Sequence, residues 1–484
     1  MENKIIKRIQ KEFSKTPDLI IKKIKLSLLD SIYIVYLESV GSGDKVNDYI
    51  LKNLSNISSS KNKKIINIES IIPGPNSKEI KNYDEIEFYL TNGFALVIRN
   101  NTILAIEVKA DINRSVSTPD TEPATNGPKD AFTESYQINL GLIKRRIKSN
   151  TLKNEEYIIG RKTKTKVGLL YFDDIAENSL VEEIKEKLEK IDIDGIIDSS
   201  NIGQLITDEG KIHFPTYVIT ERPDNVSKSL LEGKIVILVD TSPFAIVLPA
   251  FFADFINPGV DSYHKSKNVN FLKIVRFFCF FLSMSVPAIY IALINYNQET
   301  IPTNLLVSFS IQRDGVPFPA MIEALIMLFV CEMLRESDLR FPNAYGSAIS
   351  ILGALILGDA AVSAGIVSPI MIIIIALTFI ASLIFTEIEV SNALRHFRFI
   401  FLFCAAFFGI LGLIFATFYF LIRINDIYSF GKPYFYPLMP FDKTYFFKSL
   451  LKNPLKKDTK RSSILTTKNK IKQGENIWKK YYFY

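Results

Sequence analysis

Glu323 and Glu332 are the residues best placed to do chemistry, because each stands in an apolar run where a charge is expensive. A carboxylate carried towards the middle of a bilayer costs about 2.5–3.5 kcal/mol on insertion scales, so it normally faces protein or water. Glu332 lies one turn ahead of Arg335 and can pair with it near a membrane surface. Glu323 has no basic residue one turn away. At ~3.6 residues per turn the two glutamates fall on opposite faces of a helix. An unpaired carboxylate of this kind can lie on an ion path, or stand near the end of a span and reach the headgroups. The chemistry in view is the handling of ions, not the making of bonds.

A second pattern follows them. Gly346, Ser350, Ala354 and Gly358 recur at i, i+4 spacing just ahead of Asp359. Small residues on one face let helices approach closely in lipid, where packing replaces the missing hydrophobic drive. The face suits packing within the chain, a subunit interface or the wall of a narrow pore. Nothing else offers catalysis: there is no P-loop, Gly-x-Gly-x-x-Gly, Gly-x-Ser-x-Gly or His-Glu-x-x-His. Asp173 and Asp174 end a strand, where metal or phosphate chemistry occurs, but a solvated turn explains them as well. Cys279, Cys331 and Cys404 are scattered through apolar segments, and His213, His264 and His396 stand far apart. No disulfide framework, metal site, cofactor or enzyme activity is expected from them.

These residues need elements to hold them. Five apolar segments run over Leu272–Ile294, Pro319–Leu334, Ala344–Gly358, Val367–Phe385 and Phe399–Ile422. A span takes about 20 apolar residues. The third segment is short, so a re-entrant passage covered by protein or water suits it. Lys265, Lys267, Lys273 and Arg276 fix the start of the first segment inside, and Arg335, Arg340, Arg395 and Arg398 mark later returns. Five crossings would leave the C-terminal tail outside, yet the tail is strongly basic and should stay inside. One re-entrant segment, Ala344–Gly358 continuing through Pro369, reconciles the two. The tail then lies on anionic lipid; membrane lipids rather than nucleic acid are its expected partner.

Ahead of the apolar half, the chain reads as soluble and lacks a secretory signal, so this half should stay in the cytoplasm. Strands are expected at Phe94–Ile98 and Ile103–Val108, joined as a hairpin, and at Val167–Phe172, Tyr217–Thr220, Ile235–Asp240 and Phe244–Leu248. Helices are expected over Asp44–Leu54, Ile65–Ile72 and Glu134–Lys148, and where Leu180, Ile184, Leu188 and Ile191 fall at helical spacing. The fold class is an α/β cytoplasmic domain of two subdomains followed by an α-helical multi-span membrane domain. The divisions fall at 1–22 (extension), 23–150 and 151–248 (subdomains), 249–270 (coupling segment), 271–424 (membrane domain) and 425–484 (basic tail). Phe251, Phe252 and Phe255 gather in the coupling segment, which suits a short helix at the membrane surface.

Several strings stand in a distinctive order. They are Phe132-Thr133-Glu134 followed by Asn139 and by Leu142 to Ile147, and Leu248-Pro249-Ala250-Phe251 leading to Asp261-Ser262-Tyr263. Then come Val316-Pro317-Phe318-Pro319 with Glu323-Ala324-Leu325, Glu332-Met333-Leu334-Arg335-Glu336, Leu339-Arg340-Phe341-Pro342, and the run from Gly358 to Pro369. In this order the chain resembles the A subunit of the GerA-type spore germinant receptors, from about Lys25 to Pro440. The resemblance implies a multi-pass protein of the spore inner membrane, partnered by a transporter-like B subunit and a lipoprotein C subunit. It also implies a homo-oligomer, pentameric in the family picture, forming a nutrient-gated channel that releases cations. Alternatives are a non-conducting scaffold and the paralogue associated with dipicolinic acid release. The implied pore or gating residues are Glu323, Glu332, Arg335, Gly346, Ser350, Gly353, Ala354, Gly358, Asp359 and Gly365. The implied coupling or assembly residues are Phe132, Glu134, Arg145, Arg146, Phe251, Phe255, Asp261 and Tyr263. The chain departs from the family pattern at Ala124-Thr125-Asn126-Gly127-Pro128, where an arginine is missing, at Ala131 in place of glycine, and at Asp359.

Overall fold

The computed structural model describes residues 2–25, 31–54, 77–99, 102–110, 118–119, 121–123, 126–207, 214–340, 358–385, 387–452, 454, 458–466 and 468–472. Two five-stranded sheets build the N-terminal half. The first takes the order β1-β2-β4-β5-β3, with β1 Leu19–Lys25, β2 Ser31–Leu37, β3 Ser77–Glu79, β4 Phe94–Arg99 and β5 Thr102–Glu107. The second takes β6-β7-β9-β10-β8, with β6 Leu152–Ile159, β7 Thr165–Phe172, β8 Val218–Thr220, β9 Ile235–Val239 and β10 Ala245–Leu248. Every pairing described is antiparallel. Short turns join β4 to β5, β6 to β7 and β9 to β10, and short turns permit only antiparallel neighbours. Mixed layers are thus as expected, with the sheets antiparallel throughout.

Each sheet is apolar on both faces, so each is covered on both. Helix α1 (Glu2–Glu12) lays Ile6 and Ile9 on one face of the first sheet beside α2 (Glu85–Thr91). The expected N-terminal extension is therefore part of this unit. The helical stretch Gly43–Leu51 puts Val46 and Ile50 on the other face. In the second sheet, β7 turns Leu169 and Tyr171 towards α4 (Asn178–Glu189) and α5 (Ser199–Ile206). Its alternate residues Leu170 and Phe172 face α3 (Tyr136–Arg146) and α6 (Pro223–Leu231), the period of two that a pleated strand imposes. Helix α3 packs on the second sheet, so the division between the units falls before it and not at 150/151.

A buried ion pair ties the two units. Lys144 of α3 reaches Asp18, at the start of β1, with Nζ 2.6 and 2.7 Å from the carboxylate oxygens. Burial pushes the Asp18 carboxyl up, but Lys144 and the Ser39 hydroxyl outweigh it and hold the group below its ordinary range.

The C-terminal half is helical. Helix α7 (Phe252–Ile256) leads to α8 (Ser266–Asn295), α9 (Thr303–Arg313), α10 (Ala320–Arg340), α11 (Pro369–Ser382) and α12 (Ile388–Asn425). Both α8 and α12 are long and apolar enough to cross a membrane. Helix α12 is broken at Gly409, whose φ of 60° and ψ of −138° are non-helical. The chain reverses there. Phe397 before the break meets Phe420 after it at 5.0 Å between ring centroids, and Tyr296 at the end of α8 caps the turn by donating to the carbonyls of Ala406 and Phe407. A side chain at Gly409 would run into Tyr296, so the positive φ and the close approach both call for glycine.

The reversal returns the basic tail to the N-terminal domain. Lys432 pairs with Glu177, Lys472 with Glu232, and Lys468 donates to the Asp173 carbonyl. These contacts place the described part of the tail against this domain. The reversal is at Gly409, in the fifth apolar segment; of the expected re-entrant stretch, residues 344–357 lie outside the described residues, as does the expected helix Ile65–Ile72.

Removing one partner of a buried pair leaves a charge without compensation, which costs about 3–5 kcal/mol. Lys144→Ala should therefore destabilise the full chain by about that much in denaturant unfolding. Because the folded Asp18 carboxyl lies below its unfolded value, its contribution is present above the ordinary carboxylate range. That contribution is lost as pH falls through the depressed value, and Asp18→Asn should show no such acid-side loss.

Candidate functional site

The two halves meet through aromatic rings. Phe214, from a loop of the second unit, stacks on Phe397 at 5.8 Å and 17° and also meets Phe280, Phe420 and Tyr434. Phe252 packs edge-on against Phe280 at 4.8 Å and against Phe435 at 5.1 Å. Phe251 meets Tyr436, and Phe255 meets Tyr434. Phe251, Phe252 and Phe255 are only 6%, 3% and 8% exposed, so they face protein and not a membrane surface as expected. Edge-to-face pairs of this kind are each worth about 0.5–1.5 kcal/mol beyond their buried area. Apolar segments carry these rings because only there can both sides of the joint be buried.

Polar groups lock the same joint from the side. Asp261 is buried and accepts from Arg276 of α8. Lys452 of the tail donates to the carbonyls of Asp261, Ser262 and His264 at 2.7–2.8 Å. Tyr263 donates to Asp224, which also takes both ends of the Arg222 fork. Arg222 is fully buried and also donates to the carbonyls of Glu122 and Pro128. Gly127, with φ +116°, lies close to the Tyr263 ring, where a side chain would clash. A cavity of about 440 Å³ opens here, lined from both halves by Glu122, Thr220, Lys228, Lys234, Asp254, Phe255, Lys273, Glu387 and Tyr436. Burial, with Glu221 and Asp224 near, pushes Glu122 up to about 7 despite the Thr220 hydroxyl and Arg222.

Farther along, the helical half buries its charges in two places. Glu323 of α10 is completely buried and accepts from the backbone N–H and the hydroxyl of Ser368 at 3.0 and 2.8 Å. Ser368 is the N-cap of α11, and a helix N-terminus favours an anion. Arg313, the last residue of α9, stands 3.5 Å from the other carboxylate oxygen. Glu323 is therefore not the unpaired carboxylate expected from its own helix; its cation comes from a preceding one. At the other end of α10, Glu332 contacts Arg335 at 3.7 Å and, more closely, Arg395 of α12 at 3.1 Å.

The GerA family model, described as Bacillus/Clostridium GerA spore germination protein, matches residues 7–464. The chain belongs to the GerA family. It is 37% identical to spore germination protein KA of Bacillus subtilis over 98% of this chain and 88% of that one. It is 32% identical to spore germination protein GerLA of Bacillus cereus, over 90% of each chain, and 34% identical to the uncharacterized membrane protein YfkQ of Bacillus subtilis over 85% of this chain and 81% of the other. The crystal structure of the N-terminal domain of the A subunit of the Bacillus megaterium spore germinant receptor GerK3 is 34% identical, with a TM-score of 0.40, and covers 51% of this chain and 94% of that chain.

In this GerA chain the residues named from sequence fall into separate groups. Phe251, Phe255, Asp261 and Tyr263 gather at the joint described above. Phe132 is buried with its N–H on the Glu221 carbonyl, and Arg146 pairs with Asp130, so both serve the second unit. Glu134 and Arg145 are exposed, the former lending its carbonyl to Thr241. Gly358 and Asp359 lie in a helical turn, Asp359 exposed, and Gly365 takes φ +66° beside the Gly315 carbonyl. Gly346, Ser350, Gly353 and Ala354 lie outside the described residues. Asp173 and Asp174 are exposed, and no cluster of metal-ligating side chains occurs among the described residues. Phe214, Arg222, Arg313 and Arg398 were not legible as site residues; the only sequence signal was an arginine inside an apolar run, for Arg398.

Two outcomes test the joint. Phe214→Ala removes the ring that crosses it and should cost about 3–5 kcal/mol. Hydrogen exchange should then show faster opening of both 251–263 and α12. The raised Glu122 carboxyl contributes stability that is fully present below its unfolded value of about 4.5 and is lost as pH rises through about 7. Melting of Glu122→Gln across this range should be flatter than that of the unaltered chain.

Proposed function

We propose that this chain is the A subunit of a spore germinant receptor and part of an oligomeric ion channel gated by nutrient sensing. Family membership supports the receptor assignment. The observation that carries the channel reading is the mechanical path from a soluble domain, through Phe214 and Phe252, to helices that bury Glu323 at full desolvation. An anchor has no need of a buried carboxylate held between three helices. A moving part does: parting α9 and α11 from α10 would break the Arg313–Glu323–Ser368 contact that holds the closed arrangement.

On this reading the helical half crosses the spore inner membrane several times and the N-terminal domain and tail face the cytoplasm. A transporter-like B subunit and a lipoprotein C subunit complete the receptor, and several A subunits surround the conducting path. Nutrient sensed by the complex shifts the joint, and α10 and α11 separate at Glu323 to admit monovalent cations. No bond is made or broken; the work is electrostatic.

The test is ion release in germinating spores carrying Glu323→Gln in the intact receptor. The neutral side chain keeps its size and its Ser368 contact but loses its hold on Arg313. Release should become faster or partly independent of germinant, while the protein stays at its normal level in the membrane. Unchanged release kinetics, with germination lost only on deletion of Met1–Asp240, would favour a non-conducting scaffold instead.

A further inference from the structure

The charged cluster at the far end of α10 is out of balance. Among the described residues, Arg335 and Arg395 both pair with Glu332, and Arg398 lies near enough to interact electrostatically with all three. Arg398 is 1% exposed; its Nε donates to the Ser283 carbonyl at 2.7 Å, and its Nη2 has no hydrogen-bond partner. Arg335 uses one donor on Ser382 at 3.3 Å, and Arg395 uses one on Asn392 at 3.0 Å. The Arg395 Nε approaches Glu332 without hydrogen-bond geometry. Guanidinium forks so close together repel one another, and a desolvated donor left unused is costly. An anion with several oxygens relieves both, and a phosphate matches the fork geometry.

The surroundings say where that phosphate comes from. The cluster lies between α8, α10, α11 and α12, with Arg395 the most open member at 32% side-chain exposure. The neighbouring stretches expose Met333, Leu383 and Ile388, which is a surface for acyl chains and not for a water-soluble ligand. Arg395 stands ~12 Å along the helix axis from Glu387, at the joint cavity, and its long stem can carry the guanidinium back towards a headgroup. Basic pockets between transmembrane helices on the cytoplasmic side take anionic headgroups in this way.

We propose that Arg335, Arg395 and Arg398 form a phosphate site filled by the headgroup of an anionic phospholipid. The bound phosphate takes over Arg395 from Glu332 and couples the packing of α10 against α12 to lipid charge. This rests on the reading that the helical half spans a bilayer.

The experiment is native mass spectrometry of the full chain released from neutral detergent, counting retained phosphatidylglycerol against phosphatidylcholine at high salt, which screens diffuse attraction by the tail. Phosphatidylglycerol should be retained preferentially. Arg395→Gln should weaken retention about fivefold, the loss of one arginine contact. Glu332→Gln, which removes the competing carboxylate, should strengthen it. Arg395→Lys keeps the charge and serves if the glutamine variant does not fold; its retention should fall between the two. Equal retention of both lipids, or retention indifferent to Arg395 and Glu332, overturns the site. Displacement of the lipid by inorganic phosphate with the same Arg395 dependence overturns the lipid source and assigns the site to free phosphate. A chain that does not float with vesicles defeats the membrane reading, and that is seen before any lipid is counted.

Discussion

Phe280 is buried at the point where three parts of the chain meet. It contacts Phe214 from the second sheet unit, Phe252 from the coupling segment and Phe420 from the returning arm of α12. The packing of these rings is what the remaining architecture depends on, because it joins all three at once. Rings interlock at fixed angles, and close-packed interiors pass displacement on instead of absorbing it. A shift of the second sheet by a fraction of an ångström therefore reaches α8 and α12 directly.

Around that apolar centre the charges divide the labour. Arg222, Asp224, Tyr263, Asp261 and Arg276 hold the rim, and each is paired closely enough that the joint resists sliding. The helical half places its charges away from the joint, Glu323 at one end of α10 and the arginine cluster near the other. Buried pairs are weak sources of stability, since desolvation offsets most of their attraction. Here they tie α9, α10, α11 and α12 to one another at fixed points. The same logic explains why Ser368 is an N-cap without a capping bond to its own helix: its backbone N–H and hydroxyl are both given to Glu323.

Much of the N-terminal fold could be read from pattern, because the continuous apolar runs Phe94–Ile98, Ile103–Ile106 and Ile235–Val239 are direct imprints of strands buried on both faces. Strand β6 escaped, since Lys153, Asn154, Glu155 and Glu156 stand where apolar residues are expected. The fold gives them individual partners: the Asn154 Oδ1 takes the Tyr136 hydroxyl, and Glu155 takes the Tyr171 hydroxyl. The site was less legible. A search within one helical turn finds the Arg335 partner of Glu332 but cannot find Arg395, and it cannot find Arg313 for Glu323. Those contacts depend on how helices cross, and periodicity carries no record of crossing. Phe214 gave no signal at all, being a single apolar residue in a loop.

The fifth apolar segment shows the difference between hydrophobicity and path. Length and composition make Phe399–Ile422 one span, interrupted by Gly409, Gly412 and Thr417. Those two glycines are sufficient: one accepts a positive φ, and the other lets the arms close against the Cys404 carbonyl. Because the arms close, Phe420 is brought back to Phe397, and the residues after it are carried to the N-terminal domain. The tail then completes the joint instead of leaving it, with Tyr434, Phe435 and Tyr436 supplying rings and Lys452 supplying three hydrogen bonds. The basic character of the tail follows from this position. Among the described residues, Lys432, Lys468 and Lys472 meet carboxylates or carbonyls of the second unit, so their charge is used on protein. The N-terminal domain thus holds α12 at both ends, through Phe214 before the reversal and through the tail after it.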